Sequence, residues 1–94
     1  MNGVNWNLDL GIAILSDHTD IDELRNKLII GVTSTGLKYR TLDIEPEYIG
    51  LQFDMNSFFD AISIVETITQ ALIPLLTIDD LIQLEPSIDW EIPL

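Results

Sequence analysis

From Val4 to Ile14 the apolar residues Val4, Trp6, Leu8, Leu10, Ile12 and Ile14 alternate without a break against Asn5, Asn7, Asp9, Gly11 and Ala13. A period of two held over that length marks a strand with one face on a core. Downstream, Thr19-Asp20-Ile21-Asp22 offers a hydroxyl cap with a carboxylate three residues on. Asp20, Asp22 and Glu23 crowd a first turn, Arg25 and Lys27 lie near its end, and Gly31 follows. Acid first, base last and glycine after is the order that the helix dipole and a left-handed cap favour. This predicts a helix over roughly residues 20–30 that buries Ile21, Leu24 and Leu28.

Alternation returns at Leu42 and Ile44 against Asp43 and Glu45, and Pro46-Glu47 suits a turn. Ile49, Leu51, Phe53 and Met55 then alternate with Gly50, Gln52 and Asp54, which completes an antiparallel hairpin. Leu37 to Arg40 is out of phase with that pattern, so a bulge or a late strand start is expected there. Ser57 is the expected cap of a second helix. Phe58, Ile62, Val65, Leu72 and Leu76 line its apolar side, and Ile64, Ile68, Ala71 and Leu75 widen it. Pro74 kinks or ends this helix. Thr77-Ile78-Asp79-Asp80 can cap a further turn or two, to about Leu84. Ile88, Trp90, Ile92 and Leu94 are strand-like again, with Pro93 tolerated only at an edge.

Strand, helix, strand, strand, helix, strand in this order folds, with right-handed crossovers, into a split βαβ sandwich. The expected class is α+β: a two-layer, ferredoxin-like βαββαβ plait with a four-stranded antiparallel sheet and both helices on one face. Its 94 residues make one domain, 1–94, with no repeat, linker or low-complexity stretch. The first fifteen residues lack Lys and Arg, unlike a signal peptide. The apolar run from Phe58 to Leu76 is interrupted by Asp60, Glu66 and Pro74, unlike a membrane span. A cytoplasmic protein is expected.

Charge supplies the functional signal. Sixteen acids against four bases give −12. Residues 1–40 hold all four bases (Arg25, Lys27, Lys38, Arg40) and five acids, whereas eleven acids and no base follow Thr41. Such a chain is a poor match for nucleic-acid phosphates or an anionic membrane surface. The strand phases put Asn5, Asn7, Asp9, Asp43, Glu45, Gln52, Asp54, Asp89 and Glu91 on the open sheet face, with no cation among them. An antiparallel sheet ordinarily shows one polar side to water. Solvated surfaces usually mix signs, however, and like charges across strands are destabilising.

The expected function is therefore a non-enzymatic acidic module that neutralises or inhibits a basic partner protein. Immunity proteins, antitoxins and phage anti-defence inhibitors are of this type, and some imitate nucleic acid. The basic partner is expected to be a nuclease or another nucleic-acid enzyme. Asp9, Asp43, Glu45, Tyr48, Gln52, Asp54, Asp89 and Glu91 form the expected contact surface. Tyr48 is the favoured aromatic anchor, ahead of Tyr39 and Trp90, because Trp6 and Trp90 share the core phase of their strands. Two alternatives are a self-associating structural subunit, including a homodimer, and a small-ligand sensor or enzyme.

Catalytic, cofactor and metal signatures are not expected. Ser16-Asp17-His18 has the letters of a triad, but adjacent residues rarely converge. One His and no Cys cannot build a usual transition-metal site. Gly31-Val32-Thr33-Ser34-Thr35-Gly36-Leu37-Lys38 carries one residue too many for a phosphate loop and is expected to be a flexible connection. Glu45-Pro46-Glu47 and Asp79-Asp80 lack the ligand spacing of an EF-hand, which leaves weak calcium binding at most.

Overall fold

The computed structural model describes residues 4–17 and 20–92. The elements are β1 (Asn5–Ile14), α1 (Ile21–Ser34), β2 (Arg40–Glu45), β3 (Tyr48–Met55), α2 (Asp60–Leu72), a 3-10 turn (Ile73–Leu75) and β4 (Ile82–Glu91). All pairings are antiparallel, in the order β2-β3-β1-β4. The helices cover one face of this sheet, so the chain has the ferredoxin-like βαββαβ plait. Leu8, Leu10 and Ile12 of β1 and Phe53 of β3 meet Leu28 of α1 and Ile68 and Leu72 of α2 in the core, each at most 1% exposed. Each such side chain contributes about 1.5–3 kcal/mol by leaving water.

Several expected boundaries move. Asp20 rather than Thr19 caps α1, its Oδ1 accepting from the Glu23 N–H at 3.0 Å. The helix runs through Gly31 because that glycine serves contact, not termination. A Cβ there would lie 2.6 Å from Leu75 Cδ1 and 3.0 Å from Leu72 Cδ2. The left-handed position is Gly36, at φ 77°. The first four residues of the expected flexible connection are thus the last turn of α1. The hydroxyls of Ser34 and Thr35 donate to the carbonyls of Gly31 and Val32 at 2.7 and 2.6 Å.

At α2 the cap position is Phe59, not Ser57. The Asp60 carboxylate instead receives the N–H groups of Asn56 (2.8 Å) and Ser57 (3.4 Å). The buried side of this helix is Ala61, Ile68 and Leu72, flanked by half-buried Ile64 and Val65. Ile62 and Phe58, expected on the core side, are 66% and 48% exposed. With roughly 100° between successive helix residues, a core line centred on Ala61 and Ile68 turns Ile62 to the flank.

The turn expected to stay helical to about Leu84 closes early. Asp80 Oδ2 accepts from the Thr77 N–H at 2.7 Å, and β4 begins at Ile82. Pro86 masked this strand in the sequence. The bond from Leu15 N to Leu81 O at 2.8 Å marks a hydrogen-bonded rung. By antiparallel alternation the Leu10·Pro86 rung is then a non-bonded one, so the donor missing from proline would point away from β1, off the sheet edge. Pro93 lies outside the described residues.

Candidate functional site

The open face is built rung by rung. One row crosses β2, β3, β1 and β4 as Arg40·Gln52·Asp9·Ser87, and the next crosses β3, β1 and β4 as Asp54·Asn7·Asp89. Asn5·Glu91 lies beyond them, and Asp43·Gly50·Gly11·Glu85 and Glu45·Tyr48·Ala13·Gln83 lie on the other side. All eight residues expected at the contact surface are therefore on one face. Because β4 pairs with β1 as far as Asn5·Glu91, Asp89 and Glu91 belong to it.

Two members escaped the sequence. Glu85 lies between the turn expected to reach about Leu84 and the strand expected from Ile88, within what is β4. Arg40 contradicts the expectation of a face without a cation. The register shifts between Thr41 and Asp43, leaving Leu42 as the extra residue. The bulge turns Arg40 to the same side as Asp43. Leu42, expected inward, is 49% exposed, while Tyr39 and Thr41 line the apolar inner side with Ile44 and Leu51. The phase break before Leu42 was the one available signal.

Arg40 is engaged by its own sheet through four hydrogen bonds. Its Nε and Nη2 donate to Gln52 Oε1 at 3.0 and 2.7 Å, and Nη2 and Nη1 donate to Asp54 Oδ1 and Oδ2 at 2.7 and 3.2 Å. Gln52 Nε2 donates in turn to Asp9 Oδ1 at 2.9 Å. With its amide nitrogen turned to the carboxylate, Asn7 also donates to Asp54 Oδ1 at 3.0 Å. Hydrogen bonding from Arg40 holds the Asp54 carboxyl below its ordinary value. Slight desolvation opposes this, and the Arg40 charge adds to it. The depressed group favours the folded state above its unfolded pKa, and this contribution disappears as the pH falls through the folded value. Arg40→Met is expected to return Asp54 to the ordinary carboxylate range, which a carboxyl-carbon NMR titration of both proteins would read.

The remaining carboxylates divide by location. Off the sheet face, Asp20, Asp60 and Asp80 accept backbone N–H groups and Asp22 pairs with Arg25 at 3.1 Å, while Glu23, Glu47, Glu66 and Asp79 have no side-chain partner among the described residues. On the face, Asp43, Glu45, Glu85, Asp89 and Glu91 have no hydrogen-bond or ion-pair partner among the described residues. Seven carboxylates and one already-paired guanidinium thus share this surface.

The aromatic anchors differ from expectation. Tyr48 does not project. Its ring lies across the glycine rung, where a Cβ on Gly11 would overlap the phenol, and one on Gly50 would sit 3.5 Å from Cε2. Tyr48 thus floors a shallow cleft of about 360 Å³ between Asp43 and Glu85. Tyr39 faces inward, 6.0 Å from Phe53, with its hydroxyl 2.8 Å from Thr33 Oγ1. Trp6 is half-buried, but Trp90 is 59% exposed on the helix side, because β4 extends past the helices.

His18 lies outside the described residues, so the Ser16-Asp17-His18 segment has no described geometry. Glu45-Pro46-Glu47 forms the tip of the β2–β3 hairpin. Among the described residues no cluster of three His, Cys, Asp or Glu side chains is placed to hold a metal, and no helix is long and apolar enough to cross a membrane.

No family model and no curated protein matches the sequence. Among solved structures, a proposed thiamine biosynthesis/salvage protein from Thermotoga maritima is similar with a TM-score of 0.52 at 16% identity, over 90% of this chain and 84% of that one. A proposed antibiotic biosynthesis monooxygenase from Chloroflexus aurantiacus gives 0.48 at 14% identity, over 98% and 94% of the two chains. A proposed PII-like signalling protein from Thermus thermophilus gives 0.47 at 16% identity, over 97% and 93%. At these identities the likeness is one of fold, and the fold alone does not specify an activity.

Proposed function

We propose that this chain is a non-enzymatic binding module whose open sheet face docks a basic surface of another protein. The reading extends to an inhibitor of the immunity, antitoxin or anti-defence kind, covering the cationic groove of a nuclease or related enzyme in the cytoplasm. One observation carries it: seven of the sixteen carboxylates stand on the single face that the helices leave open, where the one cation, Arg40, is already paired with Asp54. Elsewhere Asp20, Asp60 and Asp80 accept backbone N–H groups and Asp22 pairs with Arg25, while the remaining acids are dispersed over helices and loops. Five partnerless carboxylates on the two outer strands, β2 and β4, add to the negative field over this face, and a cationic surface relieves that self-repulsion. Charge of this kind mainly accelerates encounter and selects partners, so binding is salt-sensitive in its on-rate.

The test is capture of a basic protein from host lysate by the tagged chain, followed by association kinetics at graded salt. Raising salt from 0.1 to 1 M shortens the Debye length from about 10 to 3 Å, and the association rate is expected to fall at least tenfold. A captured complex whose on-rate ignores salt removes the reading.

A further inference from the structure

On the opposite side of the molecule, the apolar surface between α2 and β4 lacks a cover. Trp6 stacks edge-on against Phe58 with centroids 6.2 Å apart, Phe58 against Phe59 at 5.6 Å, and Trp90 is the rung partner of Trp6. Beside this aromatic row runs an open groove of about 550 Å³ floored by Leu8, Ala61 and Val65 and walled by Ile62, Pro86 and Ile88. Phe59, Ile62 and Trp90 are 74%, 66% and 59% exposed.

We infer that this surface is the interface of a two-fold homodimer, with a second copy of this chain as its occupant. Three observations select that occupant. The first is extent: with aromatic side chains of about 150–250 Å² each, Phe58, Phe59 and Trp90 expose roughly 350 Å² of ring surface. Ile62 and Ile92, at 66% and 63% exposure, enlarge it. Doubled across a two-fold axis, this approaches the roughly 1,000 Å² that a specific interface needs. The second is shape: a protruding row lies beside a groove on the same face, so each copy can insert its ridge into the other's furrow, as an isologous contact requires. The third is charge. Two copies of a chain at −12 repel wherever their acids meet, yet this groove is lined by one carboxylate, Glu66. Joined here, the copies hold their acidic sheet faces outward on opposite sides.

Sedimentation equilibrium of the full chain over a hundredfold concentration range, at 0.15 M salt, tests this directly. The expected result is a species of twice the chain mass. Ile62→Glu is expected to raise the dimer dissociation constant at least a hundredfold, and Phe59→Ser at least tenfold. Both sites are exposed in the single chain, so circular dichroism should show native folding for both variants. A wild-type chain that stays monomeric throughout overturns the proposal, including the case where another protein occupies the groove. A dimer untouched by both substitutions overturns it as well. Neither outcome bears on the acidic face, which is tested separately by salt-graded capture.

Discussion

Phe53→Ala is expected to cost about 3–5 kcal/mol of unfolding free energy, the range for deleting a buried aromatic ring. Phe53 is 1% exposed and stands opposite Leu8 on the central strand pair, with the Tyr39 ring 6.0 Å away. Its opposite neighbour Leu8 is fixed by the sheet register and the rest of the core is closely packed around it, so the vacated volume cannot close by a local shift. A domain of this size commonly has only about 5–14 kcal/mol of stability, so a single truncation consumes a large part of it. Urea denaturation followed by circular dichroism should show the midpoint falling with little change in slope. Ile78→Ala, at a residue that is 99% exposed, is the matched control and should stay within about 0.5 kcal/mol.

Replacing Glu85, Asp89 and Glu91 together with lysine separates folding from recognition. All three project from the open side of β4 with no partner among the described residues, and the exchange moves the net charge from −12 to −6 by two units per site. Less self-repulsion should raise the melting temperature by about 4 °C at low salt, with a smaller gain at high salt. Binding to a basic partner should weaken about a hundredfold, mostly through a slower association rate. A variant that gains stability but still binds at full strength would move the contact surface off the sheet. Asp54 is a poor choice for such a test, since its substitution would release Arg40 from its pair.

The plait was legible because β1 and β3 alternate cleanly and because Asp22 and Glu23 mark the start of α1. The site was legible for the same reason: once the phase of a strand is known, the face of each carboxylate follows. What escaped depended on three-dimensional neighbours. Gly31 resembles a helix stop until Leu72 and Leu75 are seen to occupy the space a side chain would need. The stretch from Ile82 carried a proline where a strand is normally excluded, and only its position at the sheet edge makes that proline acceptable. Arg40 reaches the open face through one extra residue in β2, and sequence phase could flag the irregularity without locating it. Strand phase alone places Trp90 on the core side. Phase fixes the side of the sheet but not how far the helices reach across it.

Pro86 has a consequence beyond the fold of one chain. The outward N–H groups of β4 belong to Ile82, Leu84, Ile88 and Trp90, and proline removes the middle one of the series. From Leu84 to Ile88 this leaves a stretch of about 13 Å without a donor. The intact segments on either side, Ile82–Glu85 and Ser87–Glu91, are shorter than the six or seven residues that stack into amyloid zippers. An exposed border that would otherwise offer an unbroken template for strand-by-strand growth is thereby interrupted at its centre.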